Sequence, residues 1–169
     1  MEIERKFLVR SLPENPEQYP HSELEQGYIS GGGTTVRIRR DGERYLLTIK
    51  KKPKGLTSPC EEAMVREEIE EEIDEDLYRR LSSYTETPML RKTRYRIPYG
   101  KYTVELDLYH GVLEGLATAE IEFPSVQEAM AATVPEWFGR DVSGDKRFRN
   151  SRLATLTSLD PIRDELYFV

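Results

Sequence analysis

Alternation of apolar and polar positions organises most of this chain. In the opening segment Ile3, Phe7 and Val9 fall on one side of an extended backbone, and Glu2, Glu4 and Lys6 fall on the other. Further extended segments are expected over roughly 24–30, 34–41, 44–52, 63–73, 89–98, 102–109 and 116–123, which makes about eight strands. Their connections are short and carry turn residues: Gly31-Gly32-Gly33, Asp41-Gly42, the Pro53–Pro59 loop and Tyr99-Gly100. Consecutive strands joined this tightly predict an antiparallel meander, since parallel strands need long crossovers. Helices are few. The spacing predicts one over Asp74–Tyr84, with Leu77 and Leu81 one turn apart and acids in its first turn. A capping-box pattern starts a second at Ser125-Val-Gln-Glu128. A third is expected over Asp145–Leu156, with Phe148, Leu153 and Leu156 as its apolar stripe.

Length and composition narrow the class. At 169 residues the chain fits a single domain, 1–169, with no internal repeat. Charged residues reach 33%, above the roughly 25% of ordinary domains, and they sit within the strand segments rather than in tails. A net charge of −6 argues against nucleic-acid binding through a broad basic surface. The one cysteine, Cys60, excludes an intramolecular disulfide and reads as an inert thiol in a loop. No apolar run reaches the ~18 residues of a membrane span, and no apolar leader precedes the first strand. The expected setting is the cytoplasm, without a membrane partner.

The informative feature is which face of each strand holds charge. Arg37 and Arg39 lie out of phase with Val36 and Ile38, and Lys50 and Lys52 oppose Leu47 and Ile49. Arg66, Glu68, Glu70 and Glu72 share a face, although Glu67 and Glu71 make that strand's phase less clean, and Lys92, Arg94 and Arg96 share another. Glu105 and Asp107 oppose Val104, Leu106 and Leu108, and Glu120 and Glu122 oppose Ile121 and Phe123. A half-solvated sheet, apolar inside and charged outside, accounts for each strand taken alone. Two features of the whole set point elsewhere. Nearly every polar-face position in several strands is ionised, and like charges recur as neighbours. Two like charges ~4 Å apart repel by about 4 kcal/mol at an effective dielectric of 20, so crowding calls for counter-ions. Rows of acids call for divalent cations, and rows of Lys and Arg for a polyvalent anion. If the sheet closes with its charged face inward, its interior becomes a wet tunnel wide enough at eight strands for one small ligand. His21 and His110 are isolated, and the glycine triplet lacks the Lys-Ser/Thr of a phosphate-binding loop. With no His or Cys cluster, any metal is a hard, oxygen-preferring ion such as Mg²⁺ or Mn²⁺.

These residues bear a family resemblance. Glu2-x-Glu4-x-Lys6 resembles the signature of the CYTH superfamily, the triphosphate tunnel metalloenzymes. It is followed in order by Arg37-x-Arg39, Thr48-Ile-Lys50, Glu68-x-Glu70, Lys92-Thr-Arg94-Tyr95, Glu105-Leu-Asp107, Glu120-x-Glu122 and Asp145-Lys-Arg-Phe148. The resemblance covers about 1–156 and implies a mainly β (α+β) fold: an eight-stranded antiparallel closed barrel, with a few helices outside, holding a linear triphosphate. It implies Lys6, Arg37, Arg39, Lys50, Lys92, Arg94 and Lys146 as phosphate ligands. It implies Glu2, Glu4, Glu120 and Glu122 as metal ligands with Asp107 close by, and Glu68 and Glu70 as the pair serving a second metal or its water. Lys6, Glu68, Glu70 and Lys92 are then the candidate catalytic groups. Phe148 stands where near relatives would carry Tyr, and the end at Tyr167-Phe168-Val169 is left unexplained by the resemblance.

What the resemblance implies is two-metal hydrolysis of a triphosphate by a monomer or homodimer. Inorganic tripolyphosphate ranks first as substrate, because the compact Glu-Ile-Glu-Arg-Lys-Phe-Leu-Val start is similar to that of small bacterial tripolyphosphatases. Nucleoside triphosphate, thiamine triphosphate and an adenylate cyclase reaction follow, and a polyphosphate-binding module without turnover is the non-enzymatic alternative.

Overall fold

The computed structural model describes residues 1–168 and resolves the alternation into nine strands among them. These are β1 (Glu2–Val9), β2 (His21–Gly31), β3 (Thr34–Asp41), β4 (Arg44–Lys51), β5 (Val65–Ile73), β6 (Leu90–Tyr99), β7 (Tyr102–Tyr109), β8 (Ala117–Glu122) and β9 (Phe138–Asp141). All pairings are antiparallel, in the order β5-β4-β3-β2-β6-β7-β8-β1-β9, and β5 also pairs with β1. That last pairing, Glu2 with Arg66 and Ile3 with Val65, closes eight strands into a barrel. Where β5 leaves β1, β9 takes over its free edge at Phe7–Val9. β9 went unpredicted because four residues, Phe-Gly-Arg-Asp, carry no alternation to read.

The helices differ more from expectation. α1 (Pro59–Met64) occupies the end of the segment read as a loop, capped by Ser58 accepting from the Glu61 N–H, and it carries Cys60 exposed on its first turn. α2 (Glu75–Ser82) begins one residue after its cap, Asp74, whose carboxylate accepts from the Leu77 N–H. α3 (Val126–Ala131) is capped by Ser125 as expected, but Glu128 turns outward to Tyr102 and Lys101 instead of completing the box. The helix expected over Asp145–Leu156 is broken into a 3-10 turn at Lys146–Phe148 and a short α4 (Asn150–Leu153), with Arg149 extended between them. The physical reason is a diverted carbonyl: Phe148 C=O accepts from Lys6 Nζ at 2.7 Å instead of from the next helical turn.

Two apolar clusters bracket the barrel. One covers the outward face of β1, β6, β7 and β8, where Phe7, Val104, Leu106, Ala119 and Ile121 pack under α3 and β9. The other plugs one end from inside. Leu8, Leu90 and Tyr109 lie on the inward faces that carry Lys6, Lys92 and Asp107, and meet Phe148, Leu153 and Ile162 from the C-terminal segment. The outer face of β3–β5 is only partly covered: Val36, Ile49 and Ile69 form one cross-strand row, and Ile69 is 62% exposed.

Candidate active site

With the apolar faces turned outward, the charged faces line a cavity of about 610 Å³. Strand register sets its geometry. On one wall a single row runs Lys6–Glu120–Glu105–Arg96, with Glu4 beside Glu122 one step nearer the mouth. On the opposite wall the rows are Arg37–Thr48–Glu70 and Thr35–Lys50–Glu68. Of the residues singled out from sequence, Glu2, Glu4, Lys6, Arg37, Arg39, Lys50, Glu68, Glu70, Arg94, Glu120, Glu122 and Lys146 all line this cavity. Lys92 and Asp107 do not. Both are wholly buried beneath it, with Lys92 Nζ donating to Asp107 at 2.6 Å.

The carboxylates crowd at the wall near the mouth. Glu4, Glu105 and Glu120 each bring an oxygen within 4.8 Å of the others. Glu105 was not among the residues assigned a role from sequence, although its phase on β7 places it on the charged face. The Glu4 carboxylate makes no hydrogen bond or ion pair among the described residues. Burial, then repulsion from Glu120 and Glu2, holds its pKa well above the ordinary carboxylate value. Glu120 behaves oppositely: burial would raise it, but Lys6 and Arg94 hold it at about 2. Glu68 and Glu122 are both raised, by burial first and then by Glu2. All-oxygen, all-anionic donors of this kind fit a hard divalent cation, whose charge would relieve the repulsion.

The cations are paired unequally. Lys50 donates to both oxygens of Glu2, at 2.9 and 3.1 Å. Lys6 lies 3.5 Å from Glu120. Arg94 donates twice to Asp107, at 2.8 and 2.9 Å, and once to Glu105 at 2.8 Å. Arg37 reaches Thr48 at 3.1 Å and Glu70 at 3.5 Å, and its Nε is buried without a partner. Arg39 has no carboxylate partner among the described residues. Burial, then the nearby Arg37 and Arg94, lowers its pKa to about 10, which still leaves it cationic at neutral pH. A buried N–H without an acceptor and a cation without a counter-charge both call for an anionic ligand.

The CYTH domain model matches residues 1–147. This chain belongs to the CYTH domain family. Among CYTH relatives, an inorganic triphosphatase of Nitrosomonas europaea is 36% identical over 157 residues, spanning 90% of this chain and 96% of the relative. An inorganic triphosphatase of Acetivibrio thermocellus is 34% identical over 159 residues, spanning 90% and 92%. A crystal structure of an inorganic triphosphatase superposes with a TM-score of 0.65 at 34% identity, covering 94% of this CYTH chain and 97% of the other. The eight-stranded closed barrel expected from sequence is therefore the fold found. No helix is long and apolar enough to cross a membrane among the described residues.

Proposed function

We propose that this protein hydrolyses inorganic tripolyphosphate to pyrophosphate and orthophosphate, with Mg²⁺ or Mn²⁺ held by Glu4, Glu105 and Glu120 and assisted by Glu2 and Glu122 at the mouth. One observation carries the reading: a single cavity combines a carboxylate cluster that repels itself with cations lacking counter-charges, and a metal-bound polyphosphate satisfies both. The names of the two bacterial relatives support the choice of substrate. Bound divalent ions would supply charge neutralisation at phosphoryl oxygens and a more acidic water.

The chain's own residues supply the rest. Arg37, Arg39, Arg94, Lys50 and Lys146 hold the phosphate oxygens, and Lys6 stabilises charge that develops on transfer. Glu68, with its raised pKa, takes the proton of the attacking water, and Glu70 is steadied for the same task by Thr48 Oγ at 2.8 Å. Lys92 and Asp107, out of reach of the cavity, brace Arg94 from beneath. The protein acts as one domain, a monomer or homodimer in the cytoplasm, without nucleic acid or membrane. A binding module without turnover would need the cations but not a self-repelling carboxylate cluster.

Phosphate release from tripolyphosphate, ATP, thiamine triphosphate and pyrophosphate, measured side by side with Mg²⁺, tests the proposal. Tripolyphosphate is expected to give the highest kcat/KM and EDTA to abolish turnover. Conversion of ATP to cyclic AMP at a comparable rate, or full activity in EDTA, would overturn it.

A further inference from the structure

Two glycines of the β2–β3 turn, Gly32 and Gly33, have no structural reason to be glycine. Positive φ values among the glycines fall elsewhere, at Gly42, Gly55, Gly100, Gly111 and Gly115, so the backbone at 32 and 33 is one that ordinary L residues adopt. A Cβ placed on either would meet no atom within 4 Å. Gly31 differs: its Cβ would come within 3.1 Å of Ser151, so this glycine seats the turn against α4. Yet Gly32 and Gly33 both line the cavity. The inward positions of β3 continue outward from Arg39 and Arg37 through Thr35 to Gly33, where bare backbone ends a row of anion-seeking groups.

The turn's surroundings are cationic and underpaired. Thr34 pairs with Lys51 of β4, and Thr35 with the cavity-lining Lys50. On the other side Ser151 closely follows Lys146 and Arg149, whose side chains line the same cavity and make no ion pair or hydrogen bond among the described residues. Arg37, two inward steps along β3 from Gly33, is only 7% exposed, and its Nε is buried without a partner. The amide N–H groups of Gly32 and Gly33 make no hydrogen bond outside the strand ladders. Unused donors, positive charge and room for a ligand therefore meet at one end of the cavity.

We propose that the Gly32-Gly33 turn is a further substrate-binding element, whose backbone amides donate to an outer phosphate of the triphosphate while the inner phosphates lie along Arg37 and Lys50. This deepens the triphosphatase reading and rests on it. Glycine stands at 32 and 33 because a Cβ there would take the place of that phosphate, not because the fold requires it. A side-chain-free backbone lets an anion approach the amide N–H groups closely, as in anion-binding concavities built from main chain. Lys146 and Arg149 supply the charge around it.

Gly32→Ala, Gly33→Ala and the double variant, each in the full chain, test this by thermal melts, calorimetric titration of tripolyphosphate in EDTA and steady-state kinetics with Mg²⁺. Both single variants are expected to melt at or slightly above the wild-type temperature, because alanine fits the folded turn and restricts the unfolded chain. The double variant should bind tripolyphosphate about ten-fold more weakly or worse, and raise KM by a similar factor, with kcat changed far less. A turn that merely joins two strands would leave binding and KM at wild-type values in stable variants, and that result would overturn the inference. A melting temperature lowered by several degrees would show that the fold itself needs these glycines, and would overturn it as well. Failure of the parent reading looks different: the wild-type protein would bind tripolyphosphate without releasing phosphate, and the calorimeter would still decide the role of the turn. Absence of any binding by the wild-type protein would overturn both.

Discussion

Lys92 Nζ and the Asp107 carboxylate lie 2.6 Å apart with neither side chain reached by solvent, and Arg94 donates two further bonds to the same carboxylate. One buried carboxylate therefore binds both Lys92 beneath the cavity and Arg94 in its lining, and Arg94 is shared with Glu105. Burial alone would raise the Asp107 pKa, but Arg94 and Lys92 drive it far below the usual carboxylate range. Asp107→Asn leaves the buried Lys92 without a counter-charge, while Arg94 keeps Glu105, and is expected to destabilise the fold by about 3–5 kcal/mol, measured by urea unfolding. Combining it with Lys92→Met should recover part of that loss, because the uncompensated charge is removed. Additive losses in the double variant would contradict the shared-charge account.

The C-terminal turn docks on β9 through a close approach. The Tyr167 ring lies against Gly139 where a Cβ would stand, the Arg10 guanidinium lies over the ring at 5.5 Å from its centroid, and the Arg140 N–H donates to its hydroxyl at 3.1 Å. Gly139→Ala must push the ring away. The expected result is faster carboxypeptidase trimming, a loss of about 1–2 kcal/mol, and turnover within two-fold of wild type, since the ring touches nothing in the cavity. Unchanged trimming would show that the tail is not anchored there.

The barrel was legible because period-two alternation survives in most of its strands, though Glu67 and Glu71 interrupt it in β5, and because like charges stacked on one face have few explanations. What escaped the sequence had no such signal. Phe138–Asp141 is too short for alternation to show, and the break at Arg149 goes with a bond from Lys6, far away in sequence, to the Phe148 carbonyl. Lys92 shares a face with Arg94 yet lies under the floor, a matter of depth along the barrel that phase cannot report.

Glu4→Gln separates a metal site from an ordinary charged face. The substitution removes a carboxylate that Glu120, Glu2 and Glu105 all repel. Metal-free protein should therefore be at least as stable as wild type, while its gain in melting temperature on adding Mg²⁺ shrinks. Turnover should fall by roughly a hundred-fold or more, since several kcal/mol of charge stabilisation depend on a correctly held ion. A Glu4→Gln variant with wild-type turnover and metal response would remove Glu4 from the site.

Acid titration in EDTA reads the same electrostatics from the other side. Glu4 has a folded pKa above its unfolded value, so its ionisation opposes folding. Lowering the pH from neutral toward the ordinary glutamate value of 4.5 should raise metal-free stability. Glu120 and Asp107 have folded pKa values below their unfolded ones, Glu120 at about 2, so their contribution is full above the ordinary carboxylate range and is lost as pH falls through it. The melting temperature should thus pass through a maximum on the acid side of neutrality and then drop steeply. In Glu4→Gln the rising limb should be reduced while the steep acid loss remains, because Lys6 and Arg94 still hold the other two carboxylates down. A monotonic fall from pH 7 in the wild-type protein would show that the carboxylate cluster does not strain the metal-free fold.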